Sequence, residues 1–134
     1  MDNRGKKVKN ISKSNNIVNI ESYPKFCFKH LQEISIYNSD NSKFFVDFLF
    51  RLKKLSELGW KEIYKSHKHS FGTEKIPVAI IKPKNLPAII TPEVKYLTAF
   101  RADGSNRPFL GLRVGDIFHI VFIETNFGDI YDHT

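Results

Sequence analysis

The chain is short of the features that mark exported and membrane proteins. Cys27 is the single cysteine among 134 residues, so an internal disulfide is excluded. Cys27 lies in an aromatic run, which favours a buried thiol over a nucleophile, and such sparse cysteine is typical of a reducing compartment. No apolar run approaches the ~18 residues that a membrane span needs, and the N-terminus has no apolar signal segment. We therefore expect a cytoplasmic protein without a membrane partner.

Several catalytic motifs are missing as well. There is no glycine-rich phosphate loop, no Gly-x-Ser-x-Gly segment and no cysteine pair. His67, His69, His119 and His133 could suggest a metal site, but none belongs to a carboxylate-supported pattern such as His-Glu-x-x-His. We therefore expect no metal and no cofactor, and neither nucleotide hydrolysis nor serine-hydrolase chemistry.

Positive charge and phenylalanine are what the sequence has in excess. Lys and Arg outnumber Asp and Glu by 21 to 14, which gives a formal net charge of +7, and twelve Phe contribute to a hydrophobic content of 41%. At this length and hydrophobic content the chain can fold as one domain with its own core. A small basic domain favours nucleic acid, an anionic membrane or an acidic protein as its partner.

Residues 1–16 differ in composition from the rest of the chain. They are rich in Lys, Asn and Ser and have almost no apolar side chains, which predicts a flexible basic tail. The tail is either a solvated terminus or an arm that contacts nucleic acid. Residues 17–134 then form the single folded domain.

The middle of the chain shows first a strand period and then a helical period. Lys25–Leu31 alternates aromatic with polar side chains, which predicts a strand. Phe44–Leu55 has apolar residues at helical spacing and follows the N-cap candidates Asp40–Ser42. Gly59 ends this helix, and Trp60–His67 repeats apolar residues at the spacing of a short second helix.

The last forty residues predict an antiparallel meander. Two turn signals, Asp103–Asn106 and Gly115–Asp116, separate three runs of strand length. The third run, Ile117–Ile123, is apolar except for His119, which predicts a central strand buried on both faces. For His119 we favour a core histidine with a hydrogen bond to the backbone over a catalytic residue.

The predicted order of elements is β-α-α-β-β-β. Val78–Ile81 is either a short strand or an extended segment, because the three prolines that follow limit the length of any strand there. The first strand has no hairpin partner nearby and must pair with a later strand. We therefore predict an α+β fold, a small twisted and mainly antiparallel sheet with a helical hairpin packed on one face.

The element order and the chain's end resemble a known family. Gly111–Ile123 contains an arginine, one further residue and Gly-Asp ahead of a hydrophobic strand, and Asp129–His133, near the end of the chain, contains a tyrosine and a histidine. In both respects the sequence resembles the RelE/ParE superfamily of toxins from bacterial toxin–antitoxin pairs. The resemblance in element order covers residues 25–134, which makes residues 17–134 a RelE-like domain.

The resemblance implies a toxin that cleaves mRNA, often on the ribosome, and is held silent by a cognate antitoxin. The antitoxin would cover the basic sheet face and the helical hairpin. A branch of the family poisons gyrase without RNA cleavage. The alternative is therefore a non-catalytic module on the same fold that poisons a protein target or binds nucleic acid.

The chemistry of RNA cleavage explains which residues we select as catalytic. Histidine, with a pKa near ~6.5, can act as acid or base at neutral pH, and arginine binds phosphate through two parallel hydrogen bonds. His133 matches the family's terminal acid–base position, although it could be a surface residue. Arg113 matches the phosphate-binding arginine, with a salt bridge to Asp116 as the alternative. Arg101 lies on the adjacent predicted strand and could share that face.

The basic segment after the second helix supplies further candidates. We predict His69 as catalytic, and the predicted substrate-binding residues are His67, Lys68, Arg107 and Tyr131. Tyr131 could stack on a base or pack on the sheet. Glu74 could act as a general base, but a solvated glutamate is the favoured interpretation.

Overall fold

A five-stranded sheet, two α-helices and two 3₁₀ turns make up the secondary structure of the residues that the structure describes. The computed structural model describes residues 22–36, 42–67 and 70–133. The predicted tail, the N-cap candidates Asp40 and Asn41, and Lys68 and His69 lie outside the described residues. In chain order the elements are β1 (Lys25–Cys27), a 3₁₀ turn (Glu33–Ser35), α1 (Ser42–Glu57), α2 (Trp60–Lys65), β2 (Thr73–Pro77), a 3₁₀ turn (Val78–Ile80), β3 (Tyr96–Arg101), β4 (Pro108–Val114) and β5 (Ile117–Ile123).

The sheet has the strand order β1-β5-β4-β3-β2. Strands β2 to β5 pair antiparallel, and β1 pairs parallel with β5. The turn between β4 and β5 is only two residues long, and Gly115 takes a φ of 64°, which a residue with a side chain rarely adopts. The predicted α+β class and the mainly antiparallel sheet are confirmed.

The structure contains one strand more than the predicted order. Thr73–Pro77 pairs along its whole length with β3, whereas the expected position Val78–Ile81 begins as a 3₁₀ turn. Only Ile76 of this strand is fully buried, so the segment shows no apolar alternation. Pro77 is tolerated because β2 is an edge strand, where one row of backbone groups needs no partner. In addition, β1 and α2 end earlier than predicted, at Cys27 and Lys65.

One face of the sheet carries the helices, as predicted. The ring planes of Phe100 and Phe118 meet at 90° with centroids 5.1 Å apart, a favoured aromatic geometry. Each fully buried side chain of this kind contributes roughly 1.5–3 kcal/mol. The helical side chains buried on this face are Phe44, Phe48, Leu52, Leu55, Trp60 and Ile63.

The opposite face of the sheet is covered by irregular chain. The proline-rich segment 78–94 packs there together with Ile130 and Tyr131. Lys82 joins these two coverings, because its N–H donates to the Ile130 carbonyl at 2.7 Å and its Nζ lies 2.7 Å from Asp132. We call this side of the sheet the tail face, after the C-terminal residues that follow β5 and not after residues 1–16. Its covering explains why β5 is buried on both faces, as predicted.

A β-bulge between β4 and β5 changes which way the end of β5 faces. Gly111 pairs with Ile120 and Leu110 pairs with Phe122, so β5 has one extra residue. A Cβ on Gly111 would collide with the His119 carbonyl, which explains the glycine. Because alternation is interrupted, Phe122 joins the tail-face core and Ile123 the helix-face core. Among the described residues, no helix is long and apolar enough to cross a membrane.

Candidate active site

A cleft of about 460 Å³ opens on the tail face and is lined by residues of β2 and β3, by Ile80 and by residues that follow β5. Strands β2 and β3 supply Glu74 and Arg101. Glu74 pairs in register with Ala99, and Arg101 stands two residues from Ala99, so alternation directs both side chains to this face. The C-terminal residues supply Tyr131 and His133. The cleft thus collects three of the predicted site residues, His133, Arg101 and Tyr131.

His133 is held by a carboxylate and by two aromatic rings. Its Nε2 lies 2.5 Å from Glu124 Oε1. The imidazole stacks against Phe127 and Tyr131, with both centroid distances 4.1 Å. The His133 side chain is only 14% exposed. A carboxylate accepts hydrogen bonds, so Nε2–H is the donor and Nδ1 is the ring nitrogen left for a substrate.

Glu124 is the residue that this site needs and that no sequence pattern indicated. It directly follows β5, and its side chain is fully buried. Its Oε2 accepts the N–H of Ile130 at 3.0 Å, so both carboxylate oxygens bind the C-terminal segment. A buried carboxylate is rare without such partners. The one signal in the sequence was a charged residue directly after a strand that is apolar except for His119.

Arg101 is fixed at the wall of the cleft by the β3–β4 loop. Its Nη1 donates to the Ser105 carbonyl and to Asn106 Oδ1, both at 2.6 Å. The guanidinium carries a positive charge. It therefore presents a fixed positive charge to the same cleft that His133 lines.

The Tyr131 hydroxyl is suited to donate a hydrogen bond rather than to act as a base. Tyr131 is 7% exposed, and burial raises its pKa well above the usual value. The carboxylates of Glu74 and Glu124 raise this pKa further, while Arg101 opposes them. Glu74 is exposed, as the favoured interpretation had it, but it lines the same cleft.

Arg113 does not reach this cleft. Its guanidinium lies 4.2 Å from the Trp60 ring centroid, and its Nη1 donates to the Tyr64 hydroxyl at 3.1 Å. Arg113 pairs with Phe118, whose ring belongs to the helix-face core. The two predicted catalytic arginines therefore lie on opposite faces of the sheet, and Arg101 is the one that joins His133.

Arg107 stands beside the cleft and is engaged with the protein itself. Its Nη1 donates to the Thr125 carbonyl at 2.9 Å, and its Nη2 lies 3.4 Å from Asp103 Oδ2. Its guanidinium also covers the Phe44 ring at 4.3 Å. Arg107 therefore ties the β3–β4 loop to the chain after β5.

The remaining predicted histidines lie elsewhere. His67 is exposed, and its carbonyl accepts the N–H groups of Ser70 and Gly72 at 2.9 Å. His119 has a buried Nδ1 with no hydrogen-bond partner among the described residues, in contrast to the expected backbone bond. Its ring lies 5.5 Å from that of His30. Neither residue lines the cleft.

No family model, curated protein or solved structure matches the chain. The resemblance to the RelE/ParE superfamily stays a prediction. Within residues 22–36, 42–67 and 70–133, no group of three or more His, Cys, Asp or Glu side chains could hold a metal ion. What the cleft does bring together is an oriented imidazole, a second carboxylate, a phenol and a fixed cation, which are groups that can move protons and stabilise negative charge.

Proposed function

We propose that the chain is an endoribonuclease that cleaves single-stranded RNA in the tail-face cleft by acid–base catalysis. The observation that carries this proposal is the 2.5 Å contact between His133 and the fully buried Glu124 in a cleft that also contains Arg101 and Glu74. An imidazole held by a buried carboxylate has a defined tautomer and a fixed orientation. The fixed cation beside it suits a phosphodiester substrate.

In this proposal each of the four cleft residues takes one role. The Glu74 carboxylate takes the proton from the 2′-hydroxyl as that oxygen attacks phosphorus. Protonated His133 gives its Nδ1 proton to the leaving 5′-oxygen as the P–O5′ bond breaks. Arg101 and the Tyr131 hydroxyl stabilise the negative charge that develops on the phosphoryl oxygens. The products are a 2′,3′-cyclic phosphate and a free 5′-hydroxyl, and no water is consumed in this step.

The cellular role in this proposal is that of a toxin of a bacterial toxin–antitoxin system that acts on mRNA, including mRNA on the ribosome. The chain has 21 basic and 14 acidic residues, and this excess of positive charge supports a polyanionic substrate. Cleavage of translated mRNA requires that the protein works in the cytoplasm. A cognate antitoxin would keep the toxin silent.

Inducible expression in a bacterial host tests this function directly. We expect growth arrest and loss of total mRNA within minutes for the wild-type protein, and neither for the His133→Ala/Arg101→Ala variant. Arg113→Ala is the matched control, because it removes one arginine from the opposite face and should leave cleavage intact. Cleavage that survives the double substitution, or wild-type protein that never cuts RNA, would contradict the proposal.

A second candidate function is supported by the exposed side of α1. Val46, Leu49 and Phe50 lie on adjacent turns of this helix, with exposed fractions of 51%, 65% and 67%. An apolar stripe of this kind is typical of a protein-binding surface. In this alternative the chain poisons a protein target without catalysis. Growth arrest without loss of RNA would favour this alternative, provided that the arrest disappears in Leu49→Lys and persists in His133→Ala. An antitoxin could cover the same stripe.

A further inference from the structure

A second cavity lies directly beside the cleft. It measures about 420 Å³ and shares two lining residues with the cleft, Asn106 and Phe127. Its volume falls within the range of about 300–1,000 Å³ that is typical of small-ligand sites. The shared residues form a wall that borders both cavities. Because the cavities adjoin at this wall, one elongated ligand can extend across it and occupy both at once. The other residues that line the second cavity are Ser105, Arg107, Thr125 and Asn126.

Phe127 gives this wall an aromatic surface. One side of its ring stacks on the His133 imidazole, with centroids 4.1 Å apart and planes inclined by 26°. The ring is nevertheless 55% exposed and lines both cavities. Nucleic-acid-binding proteins use exposed aromatic rings as surfaces on which unpaired bases stack.

The rest of the cavity is polar and firmly held. The side chains of Asn106 and Asn126 are exposed and carry amide groups that can both donate and accept hydrogen bonds. Arg107 is held by Thr125 and Asp103, as described above, and its Nε also donates to Ser105 Oγ at 3.2 Å. It therefore supports the cavity as a rigid floor. Polar groups on a rigid floor beside an aromatic ring are suited to the edge of a nucleobase.

We infer that the second cavity binds the base of the nucleotide next to the scissile phosphodiester. Phe127 is the surface on which the base stacks, and the Asn126 amide forms hydrogen bonds with the edge of the base. This inference rests on the proposed ribonuclease function. The imidazole that delivers the proton and the ring that holds the base are stacked on each other, so one nucleotide step separates the two subsites. The substrate is then an unpaired RNA segment, because a base in a duplex cannot present its face to Phe127.

Binding and cleavage are measured separately to test this subsite. Binding uses a fluorescent single-stranded RNA in which every 2′-hydroxyl is methylated, so that no cleavage can occur. Cleavage uses dinucleotides of all base combinations. The variants are Phe127→Leu, which keeps an apolar side chain against His133, Phe127→Trp, which keeps a stacking surface, and Asn126→Ala. Phe28→Ala is the matched control, since Phe28 is 46% exposed and lines neither cavity.

We expect Phe127→Leu to weaken binding of the methylated RNA about tenfold, in line with the loss of one stacked base. Phe127→Trp should bind more tightly than Phe127→Leu, because it keeps a stacking surface, and Phe28→Ala should bind as the wild-type protein does. Asn126→Ala should change the base preference at one position of the dinucleotide. Wild-type affinity in Phe127→Leu, or an unchanged base preference in Asn126→Ala, would overturn the subsite while cleavage by the wild-type protein continued. Wild-type protein that neither binds nor cuts RNA would instead overturn the proposed function.

Discussion

Glu124 and His133 stand nine residues apart in the chain and meet through a contact of 2.5 Å between Oε1 and Nε2. Between them the chain passes through Gly128, at a φ of 92°, and returns to the end of β5. The second oxygen of Glu124 accepts the Ile130 N–H. The same carboxylate therefore orients the candidate catalytic imidazole and fastens the segment that carries it.

Removal of the Glu124 carboxylate should reduce both stability and activity. Glu124→Ala leaves the Ile130 N–H and the His133 ring without their partner, and we expect the free energy of unfolding to fall by about 2–4 kcal/mol. Urea unfolding measures this loss. Glu124→Gln keeps the shape and one acceptor, so its free energy of unfolding should fall less than that of Glu124→Ala. Its rate of RNA cleavage should nevertheless be lower than that of the wild-type protein, and the pH dependence of that rate should differ. A Glu124→Gln protein with wild-type rate and pH profile would show that the carboxylate is only structural.

Substitution of Arg101 should weaken the interaction with phosphate. We expect Arg101→Ala to cut RNA about 10²-fold more slowly, as is typical when one group that stabilises transition-state charge is lost. The slope of log affinity against log salt should also fall by about one unit. Arg101→Lys should recover part of the affinity but little of the rate, because an ammonium cannot form two parallel hydrogen bonds. Equal salt slopes for Arg101→Ala and the wild-type protein would exclude a phosphate contact.

Ionisation of Tyr131 should make the fold less stable in alkali. Burial raises the pKa of Tyr131 in the folded protein above the value of about 10 found in an unfolded chain. The neutral phenol therefore contributes stability that is fully present below pH ~10. Above this pH that stability is lost by up to about 1.4 kcal/mol per pH unit.

Tyr131→Phe removes the titrating group and isolates this effect. The difference in unfolding free energy between wild type and Tyr131→Phe should stay constant from pH 7 to 9 and shift against the wild-type protein from pH 10 to 11. Urea unfolding at these pH values measures the difference. A difference that does not change across the alkaline range would contradict the buried position of the phenol.

Arg113 should matter for the helix face and not for cleavage. Its guanidinium covers the Trp60 ring at 4.2 Å and bonds to the Gly115 carbonyl at 2.7 Å. We expect Arg113→Ala to lower the free energy of unfolding by about 1 kcal/mol with an unchanged rate of RNA cleavage. Thermal unfolding and a cleavage assay on the same preparation measure the two quantities. A loss of cleavage in folded Arg113→Ala protein would mean that the site extends to the helix face.

The parts of the fold that follow from local patterns could be predicted from the sequence. Most of the buried positions of α1 and α2 follow from apolar residues at helical spacing, although Leu49 and Tyr64 share that spacing and are exposed. The β4–β5 hairpin follows from Gly115–Asp116. Thr73–Pro77 could not be predicted, because its backbone pairs with the open edge of β3 although its side chains are mostly polar. An edge strand of this kind is stabilised by a neighbour that is distant in sequence.

The candidate site was predictable only in part, for a similar reason. His133, Arg101 and Tyr131 were selected by residue type and by the family resemblance, and they meet in one cleft. Arg113 was selected on the same grounds and lies on the other face. Residue type indicates which chemistry a side chain can perform, but its neighbours depend on the face to which the strand directs it.

The sequence by itself determined the basic character of the chain, the two helices and the antiparallel meander, because these depend on composition and on contacts between near neighbours. Which side chains meet in the candidate site was decided by the tertiary structure. Regular alternation from Phe118 would direct Glu124 to the helix face, and the bulge opposite Gly111 turns it to the tail face, where His133 lies. One extra residue in a strand reverses the direction of every side chain after it.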